Sequence, residues 1–320
     1  MKINQREEKL KNYIRSGVLV AVAGAFLAVT AGAAKAEYPE KPITFIVPYS
    51  PGGGSDQQAR RLVPGLEKAL GVKIRIVYKT GGGGAVGFNE LWRSKNDGYT
   101  ISNVVVPNIV ISSRGKDVGF KPDKFAYIGM TARAVGAVMV TKDSPFKTIE
   151  QLVAAAKATP GKLTVAGVGS TGRVNWGDLA EDLGIKLTYV PVSGGVGKMI
   201  PMLLGGHVNI GMTASNHATR HAAKLNTLVL AGAGKGSGVL SGVPNEPRWG
   251  YLTTWGIMAP PGTPADRVAK LNAALNKTTK DPKVAKIVTD NGLQQVWQTP
   301  AEALDYVKDS MKKYARSEER

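Results

Sequence analysis

A short apolar strand that breaks on proline, crosses a glycine-rich turn and runs straight into a helix fixes more of this chain than any other feature. Ile43–Val47 reads as the strand, Pro48-Tyr49-Ser50-Pro51-Gly52-Gly53-Gly54 as the turn, and Ser55 or Asp56 as the helix cap, with Arg60 and Arg61 one turn further on. A helix start carries N–H groups that its own carbonyls cannot satisfy, so such a unit presents amides to whatever sits above the sheet. An anion such as a carboxylate is the natural guest. The device recurs further along the chain. Apolar runs at Ile74–Tyr78, Thr100–Val104, Val135–Val140, Leu163–Ala166, Leu187–Val190, Val208–Met212 and Thr227–Leu230 alternate with helical patterns such as Thr148–Ala158, Asn175–Leu183 and Val196–Leu204. That alternation predicts an α/β fold with helices layered on mainly parallel sheet.

The first 36 residues stand apart from this pattern. A basic start (Lys2, Arg6, Lys9, Lys11, Arg15) precedes an apolar stretch, Val18 to Thr30, and a small-residue end, Ala34-Lys35-Ala36. This is the layout of a cleaved secretory signal peptide, with the mature chain starting near Glu37 and exported. A retained membrane anchor is the rival reading; the apolar run is short for one, since a spanning helix needs about 20 residues.

Of the 320 residues, 284 then remain, enough for two modest domains. The full chain carries 42 basic and 24 acidic residues, and the mature part keeps a net charge of +14. Its Lys and Arg are dispersed, without basic runs or interleaved aromatics, which argues for long-range capture of anions and against nucleic acid. No cysteine is present, so disulfides, thiolate metal sites and thiol nucleophiles are excluded.

Two segments read as links between lobes. Val135–Val140 leads into Thr141-Lys142-Asp143-Ser144-Pro145, and Trp255–Ala259 leads into Pro260-Pro261-Gly262-Thr263-Pro264. If both cross, residues 37–138 plus 257–320 form one lobe and 139–256 the other, joined by a two-pass hinge. The tail reads as helices at Pro264–Thr278 and Asp281–Asn291. A last helix to Ala315 opens on Thr299-Pro300-Ala301-Glu302, a capping box.

Several segments together resemble one family. Tyr38-Pro39-Glu40-Lys41-Pro42-Ile43, the turn Val47–Asp56, Gly81–Gly87, Asp97-Gly98-Tyr99-Thr100 and Thr159-Pro160-Gly161-Lys162-Leu163 occur in its order. So do Gly169-Ser170-Thr171, Val190-Pro191 with Gly194-Gly195, Leu203–Val208, and Trp255-Gly256 with Ala259–Pro264. The chain is similar in this to the Bug family, the periplasmic solute-binding proteins of tripartite tricarboxylate transporters. The resemblance implies a two-lobed type II periplasmic-binding-protein fold with hinge-crossing strands. It also implies a small organic acid (mono-, di- or tricarboxylate, aromatic ones included) held in the interlobe cleft, and membrane transporter subunits as partners. The chain departs from the family at three places. It reads Lys79-Thr80-Gly81-Gly82-Gly83-Gly84 where an Asn/Arg-Pro-Gly-Ala-Gly-Gly run is usual, Val174 near a common histidine, and Pro244-Asn245-Glu246-Pro247-Arg248 in place of Pro-Thr-x-x-Glu.

Candidate ligand contacts follow from the turns. In the first, amides around Gly52, Gly53, Gly54 and Ser55 would hold one carboxylate, Ser50 and Pro51 shape the turn, Tyr49 forms a wall, and Asp56 caps or organises it. The second, Gly167-Val168-Gly169-Ser170-Thr171-Gly172, matches G-x-G-x-x-G, but the strand after it ends Tyr189-Val190-Pro191 without the acidic residue a dinucleotide site needs. No cofactor is expected. Ser170 and Thr171 read as hydroxyl donors to a second carboxyl group, and Arg173 as an added charge or a solvent-facing residue. Gly194 and Gly195 open a further helix start on the cleft. Gly83 and Gly84 either line it or let the helix at 85–94 pack closely. Trp176, Trp249 and Trp255 are core or apolar wall. His217 and His221, four apart, make an exposed pair in preference to a metal site, and nothing assembles a nucleophile with a base. An exported sensor for a signalling partner, or a carboxylate-processing enzyme, are the alternatives to a transport receptor.

Overall fold

The computed structural model describes residues 37–114, 117–232, 236 and 238–315. The segment 1–36, expected to be a signal peptide, lies outside them. No helix among the described residues is long and apolar enough to cross a membrane.

Between Lys41 and Ala315 the chain alternates strand and helix about one long mixed sheet. Its order is β2 (Ile74–Tyr78), β1 (Ile43–Val47), β3 (Thr100–Val106), β10 (Leu252–Ala259), β4 (Ala126–Thr141), β7 (Ile210–Ala214), β5 (Thr164–Val168) and β6 (Thr188–Val192). The flanks are parallel: β1 pairs in that sense with β2 and β3, and β5 with β6 and β7. The centre is antiparallel, because β10 runs against both β3 and β4, and β4 against β7 and β8 (Leu225–Ala231). The expectation of mainly parallel sheet therefore holds for the flanks alone. Strands that carry the chain from one half to the other and back must run in opposite senses, and these two lie side by side.

β4 is the longest element to escape sequence reading, which saw only Val135–Val140. Its first nine residues, Ala126–Ala134, mix glycine, small residues and Arg133 without a period of two. They are strand because β10 and β11 (Gln294–Gln295) pair with them. Up to Val135 the partners of β4 are β10 and β11; from Gly136 they are β7 and β8. The chain returns through β9 (Asn245–Glu246) and residues 247–251 into β10, which pairs wholly within the first half.

Burial follows the pairing. In β1, Ile43, Phe45, Ile46 and Val47 are buried, the continuous apolar reading of a strand covered on both faces. Along the far half of β4, Ala137 and Met139 enter one apolar cluster while Val138 and Val140 enter another, so the two faces of the second half hold separate cores. A third core sits around Phe88, Val104, Met130 and Ile109 in the first half.

Helices α1 (Gly54–Leu70), α2 (Ala85–Trp92) and α3 (Asn108–Ser112) belong to the first half. The second half carries α4 (Ile149–Ala158), α5 (Gly169–Asp182), α6 (Val196–Leu204) and α7 (Ser215–Arg220). Helices α8 (Ala265–Thr279), α9 (Pro282–Asp290) and α10 (Pro300–Ala315) end the chain. The capping box expected before α10 is formed: the Thr299 amide donates to the Glu302 carboxylate at 2.8 Å, and the Glu302 amide to the Thr299 hydroxyl at 3.3 Å. Two helix starts differ from expectation. Gly53, not Ser55 or Asp56, is the N-cap of α1, with no side chain capping it. And α5 begins at Gly169, directly after β5, so Gly169 to Gly172 form its first turn and not a loop.

Candidate ligand-binding site

Ligands of open α/β sheets gather at the carboxyl ends of the parallel strands. Here the carboxyl ends of β1, β3, β5, β6 and β7 meet the amino end of the antiparallel β10 around one cavity of about 50 Å³. Each strand end contributes its own piece of wall. Tyr49, Gly53, Gly54 and Ser55 follow β1; Val105 and Asn108 flank Pro107 at the end of β3; Val168, Thr171 and Gly172 span β5 and α5. Gly195 and Val196 follow β6, Met212, Thr213, Ala214 and His217 lie along β7 and α7, and Tyr251, Thr253 and Trp255 enter from β10.

The first turn is held rigidly. The Asp56 carboxylate accepts from the Gly52 amide at 2.8 Å, from Arg60 Nε at 2.8 Å and from the Tyr78 hydroxyl at 2.6 Å. Burial pushes its pKa up, but the bonds from Tyr78, Gly52 and Arg60 together outweigh that and hold it below the usual carboxylate range. Asp56 therefore organises the turn and is fully engaged away from the cavity. One turn on, Gln58 accepts from Asn103 Nδ2 at 2.5 Å and donates to the Thr131 hydroxyl, which itself donates to the Trp255 carbonyl at 3.3 Å. This buried polar chain ties α1 to β3, β4 and β10.

Tyr49 is the pivot of the site. Its hydroxyl donates to the Gly83 carbonyl at 3.1 Å, and its ring packs edge-on against Phe88 at 6.4 Å. Burial drives its pKa far up, so it remains a neutral phenol. On its other side lies the turn after β6: the Ser50 amide donates to the Gly194 carbonyl at 2.6 Å, and a Cβ on Gly195 would sit 3.1 Å from Tyr49 Cβ. Gly83 in turn faces the start of α5, where a Cβ on Gly169 would stand 3.2 Å from the Gly83 Cα. The turn before α6 thus meets Tyr49 directly, and the start of α5 meets it through Gly83.

Two buried hydroxyls mark the cavity as a place for a guest. Ser55 is 2% exposed and Thr253 5%, both line the cavity, and neither side-chain oxygen has a hydrogen-bond partner. Buried hydroxyls are ordinarily paired, so an orphan beside a helix N-terminus points to an acceptor arriving from outside the chain. Trp255 closes the floor: its indole lies where a Cβ on Gly54 would come within 2.8 Å.

The residues singled out from the sequence divide into groups. Tyr49, Gly53, Gly54, Ser55, Thr171, Gly172 and Gly195 line the cavity. Ser50, Pro51, Gly52 and Gly194 form the clasp between the two turns, where a Cβ on Gly197 would collide with the Pro51 carbonyl. Gly83 and Gly84 back onto Tyr49, and Gly169 onto Gly83. Ser170 and Arg173 are exposed, Arg173 lying over the Tyr189 ring at 4.8 Å. Trp176 is buried in the second-half core, and Trp249 donates to Asp182 at 2.7 Å.

His217 is not the exposed residue expected from its spacing with His221. It is 1% exposed and lines the cavity, while His221 lies just past the end of α7. Burial, then the neighbouring His221 and Arg220, push its pKa down to about 3, so the imidazole is neutral. Among the described residues no group of three or more His, Cys, Asp or Glu is placed to hold a metal ion. One signal for the missed wall was present in the sequence. Val106-Pro107-Asn108 repeats the strand–proline–helix order of Val47-Pro48, and both deliver cavity residues.

Known proteins of the same kind share this architecture. Residues 58–318 match the family model described as the tripartite tricarboxylate transporter family receptor. A UPF0065 protein of Agrobacterium vitis is 30% identical over 285 residues, 85% of this chain and 82% of the relative. Protein BugT of Bordetella pertussis is 26% identical over 312 residues, covering 93% and 95%. The structure of the periplasmic binding protein BugD superposes with a TM-score of 0.82 at 25% identity, over 87% of this chain and 97% of that one. Such relatives are two-lobed solute-binding proteins and not enzymes. The chain belongs to the tripartite tricarboxylate transporter receptor family, the Bug family of periplasmic solute-binding proteins.

Proposed function

We propose that this protein captures a small organic carboxylate in the cavity around Tyr49 and delivers it to the membrane subunits of a tripartite tricarboxylate-type transporter. Residues 1–36 act as the signal peptide that exports it to the periplasm. Two lobes meet at the cavity, with bounds that the pairing of β4 and β10 moves from 138/139 and 256/257 to 135/136 and 251/252, and the ligand bridges them, so that binding favours the closed form by contacts the open form lacks. The observation that carries this reading is the unpaired Ser55 hydroxyl at the start of α1, facing the starts of α5 and α6 across one cavity. Hydrogen bonds to a charged group contribute about 1.5–3 kcal/mol each, so two or three amides with Ser55 and Thr171 give useful affinity after ordering costs.

Titration calorimetry of the purified protein against a panel of organic acids tests it. At least one acid should bind without being consumed. Ser55→Ala should weaken that acid about tenfold or more while leaving the unfolding midpoint within a degree or two. Equal affinity of the variant and the parent protein would remove the site assignment.

A further inference from the structure

The wall of the cavity carries no formal charge. Among the described residues that line it there is no Lys, Arg, Asp or Glu, and its imidazole, His217, is neutral. The nearest carboxylate on α1, Asp56, faces Gly52, Tyr78 and Arg60 instead. What positive potential the site has comes from helix starts, each worth about half an elementary charge. The starts of α1, α5 and α6 reach the wall at Gly54–Ser55, Thr171–Gly172 and Gly195–Val196, those of the short α3 and α7 at Asn108 and at Ala214 and His217, and none brings a full charge. The rest of the wall is apolar or aromatic (Val105, Met212, Tyr251, Trp255), with uncharged polar atoms at Asn108, Thr213, His217 and Thr253.

Resting on the carboxylate reading above, we propose that the ligand is a compact monocarboxylate with an uncharged, largely apolar body, and that acids bearing a second ionised carboxylate are discriminated against. The first carboxylate is matched by the amides and by the Ser55 hydroxyl. A second would be stripped of water beside Met212, Trp255 and Val105 with no cation to pair it, and an ion buried without a partner is far costlier than a methyl group. Size points the same way. The space open to a water-sized sphere is about 50 Å³, a few times what one buried water requires, which suits a short or flat body better than a branched tricarboxylate. Asn108, Thr213 and His217 can still pair a hydroxyl or carbonyl on that body, since each offers a neutral donor or acceptor.

Matched pairs on one carbon skeleton test the charge rule apart from size: butyrate with succinate, isovalerate with methylsuccinate, and 4-methylbenzoate with terephthalate, each with the corresponding primary amide of the monoacid. Affinities are measured by calorimetry on the purified protein at pH 7.5. In every pair that binds, the monoacid should be at least tenfold tighter than the diacid, and the amide at least tenfold weaker than the monoacid. A diacid equal to or tighter than its monoacid overturns the proposal and leaves the carboxylate reading standing. Amides as tight as the acids, or no binding by any of these compounds, overturn the carboxylate reading and this proposal with it.

Discussion

The turn at 49–56 and the facing turns at 169–172 and 194–197 offer a ligand the same chemistry, backbone amides at helix starts, yet they are held in place by opposite means. The first is fixed by a side chain: Asp56 gathers an amide, a guanidinium and a phenol onto one buried carboxylate. The second is fixed by the lack of side chains. The start of α5 lies so close to β5 that a Cβ on Gly172 would sit 2.7 Å from the Gly167 backbone, and the turn before α6 presses on Tyr49 and Pro51. One half of the site is therefore tuned by charge and hydrogen bonding, the other by steric room. Substitutions should injure the two halves by different mechanisms and be rescued by different changes.

The largest effect is expected at Asp56. Asp56→Ala leaves three donors without their acceptor and should cost about 3 kcal/mol in urea unfolding, with ligand affinity reduced at least tenfold. Asp56→Asn keeps an acceptor of the same shape and should recover part of both losses. If Asn is no better than Ala, the charge-tuned picture of this turn fails. Gly172→Ala comes next, at about 2 kcal/mol from overpacking against fixed backbone. No replacement at 172 should rescue it, and a neutral effect on both stability and binding would show that α5 has room the packing denies.

Acid separates the two halves further. His217 has a folded pKa of about 3, below the ordinary histidine value, so between those values the unfolded chain holds more protons than the folded one and stability falls as pH falls. From pH 7.5 to 5.5 the loss should be about 1.4 kcal/mol. Asp56, whose folded pKa is also depressed, keeps its full contribution above its unfolded pKa, about 3.8, and loses it only in stronger acid. The window from pH 7.5 to 5.5 thus reports on the His217 side. His217→Gln should remove most of the slope, leaving the smaller share of His221, whose pKa is lowered by burial and then by Arg220 and Lys224. An unchanged slope would mean that His217 takes up its proton without cost. The smallest effect belongs to Ser170→Ala. With its residue exposed and outside the cavity, the change should stay within about 0.5 kcal/mol and less than twofold in affinity; a tenfold loss would bring Ser170 back into the site.

Those contrasts also explain which residues could be read in advance. Tyr49, Ser55, Thr171 and Gly195 were legible because each sits in a turn whose chemistry is spelled out by its immediate neighbours. Ser170 and Thr171 could not be told apart, because which of two adjacent hydroxyls faces inward depends on where α5 begins, and that is set by close packing on Gly167. His217 looked like half of a surface pair, since a four-residue spacing says which residues share a helix face and not what that face meets. Trp255 was visible as a large apolar residue, but core and cavity wall are written alike in a sequence.

By itself the sequence determined the α/β alternation, the strand–turn–helix units with their exposed amides, the capping box at Thr299 and Glu302, and the absence of thiol chemistry. All of these depend on residues a few positions apart, where sterics and local hydrogen bonds decide. Tertiary structure alone decided that Ala126–Ala134 is strand, that β10 lies between β3 and β4, and that Val105, Met212, His217 and Trp255 share one uncharged cavity with Ser55. Strand pairing and wall composition join segments more than a hundred residues apart, and no local propensity carries that information; it arises only when buried surface is matched across the whole sheet.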